Sequence, residues 1–434
     1  VIFRPELSWE FLPREEITSR TLRALRNHVR HLKASSSYYS EALFDITLDD
    51  ITSFDRFETL PFTAPDTLAT RNDALCGVSN DEITETVIVD TDTTPQRPYP
   101  VFLTASDTDR IAFDAALGYH ACGITPGDTV VVLLDTNKPD IAGLSAYMGL
   151  KLLGANVIRF TNALSRLNTA FMQRLQPSAF VGDAHSLQAL IKTLRDIGMA
   201  EDAFTDKKVI CAGFDIRDES MHPTILGKTL GTLFGSNVYS FQPFSMCQCG
   251  FWECSAQNGL HLHPELAYAE IVDSAGTRIT DDKPGELVLT PLGLEAMPLL
   301  RVKTGITAYC LSDSCSCGRN AQRIVPFDTA PSTPVQPESQ RHPVPERIAH
   351  ILDSFDQIQD YVIIMESDRA HAEKISIHAL ISPQMVHTVY RMIHAQCNID
   401  APILVSNPAT IQSIRGSREA TDKIIDKRGG YGAS

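Results

Sequence analysis

Six of the ten cysteines fall in one region of the sequence: Cys247, Cys249, Cys254, Cys310, Cys315 and Cys317. The other four, Cys76, Cys122, Cys211 and Cys397, are scattered. In a large cytosolic chain, clustered cysteines point to metal ligation before disulfides. The rival reading is a set of buried, reduced thiols that act as small hydrophobes. No other constellation of nucleophiles or ligands stands out. There is no Gly-x-Ser-x-Gly elbow and no His-Glu-x-x-His. The thirteen histidines are dispersed. His120, in the run ALGYHACG, could face a central cleft or belong to the core.

The elements that would position these groups alternate in type. The run LPREEITSRTLRALRNHVRHLKAS has apolar residues at helical spacing and acids near its start, as a helix dipole prefers. From about residue 105 helices alternate with short apolar strands. SDTDRIAFDAALGYHACG reads as a helix that Ser106 or Asp107 could cap. TVVVLLD, ANVIRF, SAFVGD, KKVICAG and NVYSF read as strands, with helices between them, including NALSRLNTAFMQRL. That alternation predicts a doubly wound parallel sheet. After about 265 the period changes to two, and AYAEIVDSAGTRI and GELVLTPL read as antiparallel strands. Five prolines in residues 327–345 mark an extended linker. Beyond it, two helices and three strands predict a small α+β domain. The fold class is therefore α/β. Its parts are an N-terminal domain of parallel sheet plus antiparallel subdomain (1–326), the linker (327–345) and the small domain (346–434).

Composition narrows the partners. The 434 residues are 43% apolar and carry a formal net charge of −15, which suits a soluble protein of two or three domains. Such a charge disfavours nucleic acid and anionic membranes, since binding phosphates needs local Lys and Arg in excess. No stretch reaches the roughly 18–20 apolar residues of a membrane-spanning helix. The opening VIFRPELSWEFLPREE has no basic region followed by an apolar one, so no signal peptide is expected, and the cytoplasm is the default location.

Several runs resemble phenylacetate-CoA ligases of the adenylate-forming superfamily. They include LRNHVRHLKASSSYYSEALF, LPFTAPDTL, ALGYHACGITPGDTVVVLL and LLGANVIRF. The most specific is NGLHLHPELAYAEIVD, continued by KPGELVLTPLGLEAMPLLRVKTG and SCSCGRNAQRI. The resemblance implies a large N-terminal domain with a lid-like C-terminal one. It also implies ATP, Mg²⁺, a carboxylic acid and coenzyme A as ligands. Fold alone does not give function, so each motif is tested against its chemistry.

The family wraps ATP phosphates in a Gly-rich loop. The matching run VDTDTTPQRPYPV offers Thr93, Thr94 and Pro98, with Asp92 and Pro95 in place of glycines. An aspartate repels a triphosphate and a proline removes an N–H donor. The family holds Mg²⁺ with a glutamate. The matching run NVYSFQPFSMC (237–247) has no carboxylate. The family grips the ribose with an aspartate. In LLRVKTGITAY, Arg301, Lys303 and Thr304 match, and the aspartate position is Ile306. Arg301 and Lys303 then read either as remnants of a nucleotide site or as strand-surface charges. The Gly-Arg-x-Asp-Asp hinge is replaced by the proline-rich linker. The C-terminal catalytic lysine position falls at Ala420, with Arg415, Arg418 and Lys423 nearby in a run that reads otherwise as a solvated basic tail.

One constellation survives. The resemblance implies a zinc held by Cys254, His261, Cys315 and Cys317. Three thiolates and an imidazole would close a tetrahedral structural site with no position open for a catalytic water. Cys247, Cys249, Cys310 and His263 are the alternative ligands. The reading that follows is a ligase homologue with fold and zinc retained and catalysis lost. It would act as a binding or scaffolding protein with an acyl or aryl ligand, a protein partner, or a second copy of itself. The alternatives are an active ATP-dependent acyl- or aryl-CoA ligase with atypical ATP contacts, and acyl transfer from a preactivated thioester without ATP.

Overall fold

A computed structural model describes residues 3–89, 98–134, 141–159, 174–196, 204–213, 216–279, 282–327, 344–353, 355, 357–367, 373–397, 399, 401–416 and 423–426. The chain divides into two compact units, Val1–Thr329 and Ala330–Ser434. The expected linker at 327–345 lies for the most part outside the described residues, as does the expected helix at 162–175 apart from its last two residues.

The first unit opens with the helix Arg14–Ser35. Its buried face is Thr21, Leu25, His28, Val29 and Leu32, a spacing of three and four that the sequence pattern predicts. Glu15 and Glu16 sit in its first turn. The helix Ala105–Ala121 is capped by neither expected residue. Thr104 is the cap, and Asp107 closes a capping box by accepting from the Thr104 N–H at 3.0 Å. Asp107 is fully buried and also accepts from the backbone N–H groups of Glu295 and Ala296. The cap therefore fixes a distant loop as well as the helix start.

An eleven-stranded sheet runs through the unit. Its parallel part is β4 (Asn156–Arg159), β3 (Thr129–Val132), β5 (Ala179–Asp183), β6 (Lys208–Ala212) and β7 (Val238–Phe244), in that spatial order. The helix Ile141–Leu153 joins β3 to β4 and ends where Gly154 takes φ of +94°. The chain then turns back. β8 (Cys249–Glu253) is antiparallel to β7, and β9 (Leu260–His261) is antiparallel to β8. β10 (Ala267–Val272), β11 (Gly285–Pro291), β12 (Val302–Leu311) and β13 (Arg323–Phe327) complete an antiparallel arm in the order β9–β13–β12–β11–β10. The antiparallel part is thus continuous with the parallel sheet. β1 (Glu85–Val89) and β2 (Tyr99–Leu103) form a separate antiparallel ribbon.

Close packing joins the helix Ala105–Ala121 to β8. A Cβ on Gly118 would lie 1.9 Å from the Trp252 ring, so only glycine fits there. Trp252 stacks on Phe241 at 4.2 Å and meets Tyr119 edge-on.

The second unit is a four-stranded sheet with helices. Its strands are β14 (Tyr361–Ser367), β15 (Glu373–Ala379), β16 (Ile403–Val405) and β17 (Ile424–Asp426), in the order β16–β15–β14–β17. Ile348, Leu352, Tyr361, Ile363, Ile377, Val389 and Ile393 form its core. The reading of 413–430 as a solvated tail is corrected here. Its described part contributes the end of the helix Pro408–Arg415 and strand β17. Arg415 is buried and grips both oxygens of Asp360. No helix among the described residues is long and apolar enough to cross a membrane.

Buried His28 generates a pH prediction. Its Nε2–H donates to the Leu299 carbonyl at 2.8 Å. Burial pushes its pKa down to about 4, with smaller effects from Leu299, His31 and Arg110. A depressed folded pKa gives stability that is present above the unfolded value of about 6.5 and lost as pH falls towards 4. This residue is expected to contribute about 3 kcal/mol of acid destabilisation between those limits. Urea titrations across pH 4–7 should show a flatter profile for His28→Gln. Superimposable profiles would mean that His28 does not drive the transition.

Candidate functional site

The four residues of the candidate metal centre come from the ends of neighbouring strands and the loops that join them. Cys254 follows β8 directly. The chain then reverses through Gln257 and Gly259, both at positive φ, and delivers His261 on β9. His261 pairs in register with Trp252 on one side and Arg323 on the other. Cys315 and Cys317 lie in the loop between β12 and β13, where the Gly318 N–H returns to the Cys315 carbonyl at 3.2 Å. Because β13 lies beside β9, the loop is brought over the β8–β9 turn.

The donor atoms lie within 4.8 Å of one another. Cys254 Sγ is 3.6 Å from Cys315 Sγ, and Cys317 Sγ is 3.4 Å from His261 Nε2. Tetrahedral zinc, with bonds of about 2.3 Å to sulfur and about 2.0 Å to nitrogen, sets edges of about 3.8 and 3.5 Å. The residues therefore fit the ion in type and spacing. Their protons are already unequal. A hydrogen bond from Cys254 is the main cause that holds the Cys317 thiol far below its ordinary range, and it raises Cys254 correspondingly. The Arg319 N–H also donates to Cys317 Sγ. Among the described residues this is the one such group. Cys247 and Cys249 are fully buried instead, and burial pushes both thiols up. Cys310 accepts from Gln322 Nε2 at 3.0 Å.

His263 serves a different assembly, which sequence reasoning missed. Arg319 Nε donates to Glu10 at 2.6 Å. The other Glu10 oxygen meets His263 Nδ1 at 3.0 Å, and His263 Nε2 is 3.8 Å from Asp114. Asp114 accepts from the Gly250 N–H. All four side chains are buried. Burial alone would raise Glu10, but His263 and Arg319 bring it below the usual carboxylate range. Burial pushes Asp114 up to about 6. Nothing in the sequence near Glu10 marks it, because its partners lie more than 250 residues away. His120 is half-buried and is lowered by burial and by Arg319.

No family model matches the chain. It is 24% identical over 337 residues to the phenylacetate-coenzyme A ligase of Thermus thermophilus, across 75% of this chain and 73% of that protein. It is 22% identical over 357 residues to that of Escherichia coli K12, across 78% of each. The solved structure of 2-hydroxyisobutyryl-CoA ligase in complex with 2-HIB-AMP and CoA superposes with a TM-score of 0.65. That match is at 17% identity over 97% of this chain and 91% of the other. The chain is phenylacetate-CoA ligase-like.

On this ligase-like fold, three runs of the resemblance converge. Tyr39 Oη donates to Thr63 Oγ1 at 2.7 Å, Thr63 donates to the Leu300 carbonyl, and the Leu300 N–H donates back to Tyr39. Beside them Arg301 is not a strand-surface charge. It is 2% exposed, and its guanidinium holds Glu270 through two nitrogens, reaches the Leu60 carbonyl and lies over Phe62. Lys303 pairs with Glu286 at 2.9 Å and also lies near the Phe62 ring. Ile306 is half-buried against the apolar core. In 237–247, β7 lies beside Glu253, whose carboxylate is taken by Arg217 and the Ser240 N–H. Thr93, Thr94, Asp92, Pro95, Arg418 and Ala420 lie outside the described residues. Arg415 is committed to Asp360, and Lys423 to Asp353 at 2.6 Å.

The geometry predicts one zinc per chain by elemental analysis, and Cys315→Ser should remove most of it. Thermal unfolding of that variant should begin several degrees earlier. Equal zinc content in the two proteins would rule out Cys315 as a ligand.

Proposed function

We propose that this ligase-like chain retains the adenylate-forming fold and a structural zinc, has lost ATP-dependent adenylation, and acts as a binding or scaffolding protein. The observation that carries the reading is Ile306. At the position where the family grips the ribose, a hydrocarbon packs against the core, and it accepts no hydrogen bond from a diol. The neighbouring side chains support the same reading. Arg301 is engaged by Glu270, and Lys303 by Glu286. The run 237–247 supplies no carboxylate for Mg²⁺. At the C-terminal motif, Arg415 and Lys423 are held by Asp360 and Asp353.

The zinc rests on the donor set and its spacing. Bound there, it would supply cross-linking and no catalysis, because all four positions are protein ligands. The ligand left to such a protein is an acyl or aryl group, with or without coenzyme A. A protein partner or a second copy of the chain would give it a scaffolding role. The cytoplasm suits its free thiols.

Calorimetry on zinc-replete protein tests the proposal, with Mg²⁺ present and absent. No binding at millimolar ATP, and no pyrophosphate release with a panel of carboxylic acids, is expected. Micromolar, Mg²⁺-dependent binding would sink the reading. The chain would then be an active acid–thiol ligase with atypical ATP contacts, and the productive acid would be found from the same panel.

A further inference from the structure

The segment before the first long helix is held almost entirely from outside itself. Residues 5–12 form two short 3-10 turns, Pro5–Leu7 and Trp9–Phe11. Turns of this length have little stability of their own. Yet Glu10 is fully buried. Its backbone carbonyl accepts from the Asn320 N–H at 2.7 Å, and Asn320 Nδ2 donates to the Leu12 carbonyl at 3.0 Å. Arg319 grips the Glu10 carboxylate and lies over the Phe11 ring. His263 holds the other carboxylate oxygen. Ser8 Oγ and the Trp9 N–H donate to Glu265.

These anchors share one property. Arg319 and Asn320 follow Cys317 by two and three residues, and His263 and Glu265 follow His261 by two and four. Every polar anchor of the strap named above thus lies within four residues of a candidate ligand, Arg319 and Asn320 in the loop of Cys315 and Cys317, His263 and Glu265 in the segment that leaves β9 after His261. The loop between β12 and β13 has few internal restraints besides the Cys315–Gly318 turn and the Arg323–Asp313 pair. A metal would pin that loop to the β8–β9 turn and fix Arg319 and Asn320 in place. Without it, two buried arms of the Glu10 carboxylate lose their common frame, and a carboxylate without fixed partners returns to water.

We infer that metal at Cys254, His261, Cys315 and Cys317 latches the N-terminal strap, residues 5–12, through Arg319, Asn320 and His263. Occupancy of the centre sets whether the strap is docked or released, and release uncovers the polar floor of Asp114, His263 and Glu265. The inference rests on the zinc reading of the centre and adds a consequence for a segment that contributes no ligand.

Hydrogen exchange of the full chain, zinc-loaded and after chelation, is the test. Peptides covering residues 5–12 should exchange at least tenfold faster without metal, while β3, β5 and β6 stay protected. Unchanged protection of the strap overturns the latch. So does an opening of strap and strands together, since the metal is then a general brace. Coupling is reciprocal. Glu10→Gln should therefore weaken zinc binding by a similar factor, read by competition with a chromophoric chelator. Asn320→Ala, which leaves the ion pair in place, should act in the same direction with a smaller change. Unaltered zinc affinity in both variants overturns the proposal. A protein that takes up no zinc fails the zinc reading as well, whereas bound zinc with an indifferent strap removes the latch alone.

Discussion

A charge withdrawn from water must be met by an opposite charge or by dipoles aimed at it. The first unit withdraws many. Arg301 faces Glu270, Arg319 faces Glu10, and Arg217 faces Glu253. Arg110 is met by dipoles as well: its guanidinium spans the carbonyls of Leu292, Gln248 and Leu266. These pairs join parts of the chain that strand order alone would leave free to slide. Arg110 fixes the helix Ala105–Ala121 against two loops of the antiparallel arm. Arg319 fixes the loop of Cys315 and Cys317 against a segment 309 residues away. Such pairs add little net stability, but breaking one costs about 3–5 kcal/mol. Their effect is to select one arrangement of the arm over its alternatives.

That dependence on distant partners decides what the sequence reveals. Strands and helices of the parallel part are legible because their period is a local property. The Cys/His cluster is legible because cysteine is rare and clusters visibly. β8 is not, since CGFWE is buried on both faces and shows no alternation. The cap at Thr104 is hidden among polar neighbours, and the choice is made by Glu295, whose carboxylate accepts from Thr104 at 2.9 Å. Arg415 sits in a basic run that looks solvated, and only the fold of the second unit brings Asp360 to it. Glu10 is the extreme case. A lone acid in a short segment carries no mark of burial until Arg319 and His263 arrive.

The same contrast separates two neighbouring positions of one segment, Arg301 and Ile306. Arg301 adopts a left-handed backbone, φ +44°, which costs a non-glycine residue of order 1–3 kcal/mol. A strained residue invites a functional explanation. Here the fold itself supplies the compensation. The backbone N–H of Arg301 donates to Thr290 Oγ1 at 3.0 Å, its carbonyl accepts from Thr63, and its side chain fills a pocket formed by Glu270, Leu60 and Phe62. Five residues further along the same segment, the half-buried Ile306 side chain packs against the apolar core and its backbone N–H donates to Thr304 Oγ1. The first position is over-determined by its neighbours and persists whether or not a ligand binds. The second is a half-buried hydrocarbon packed against the core, so a change of side chain there alters the polarity of the surface and leaves the buried ion pairs around it in place.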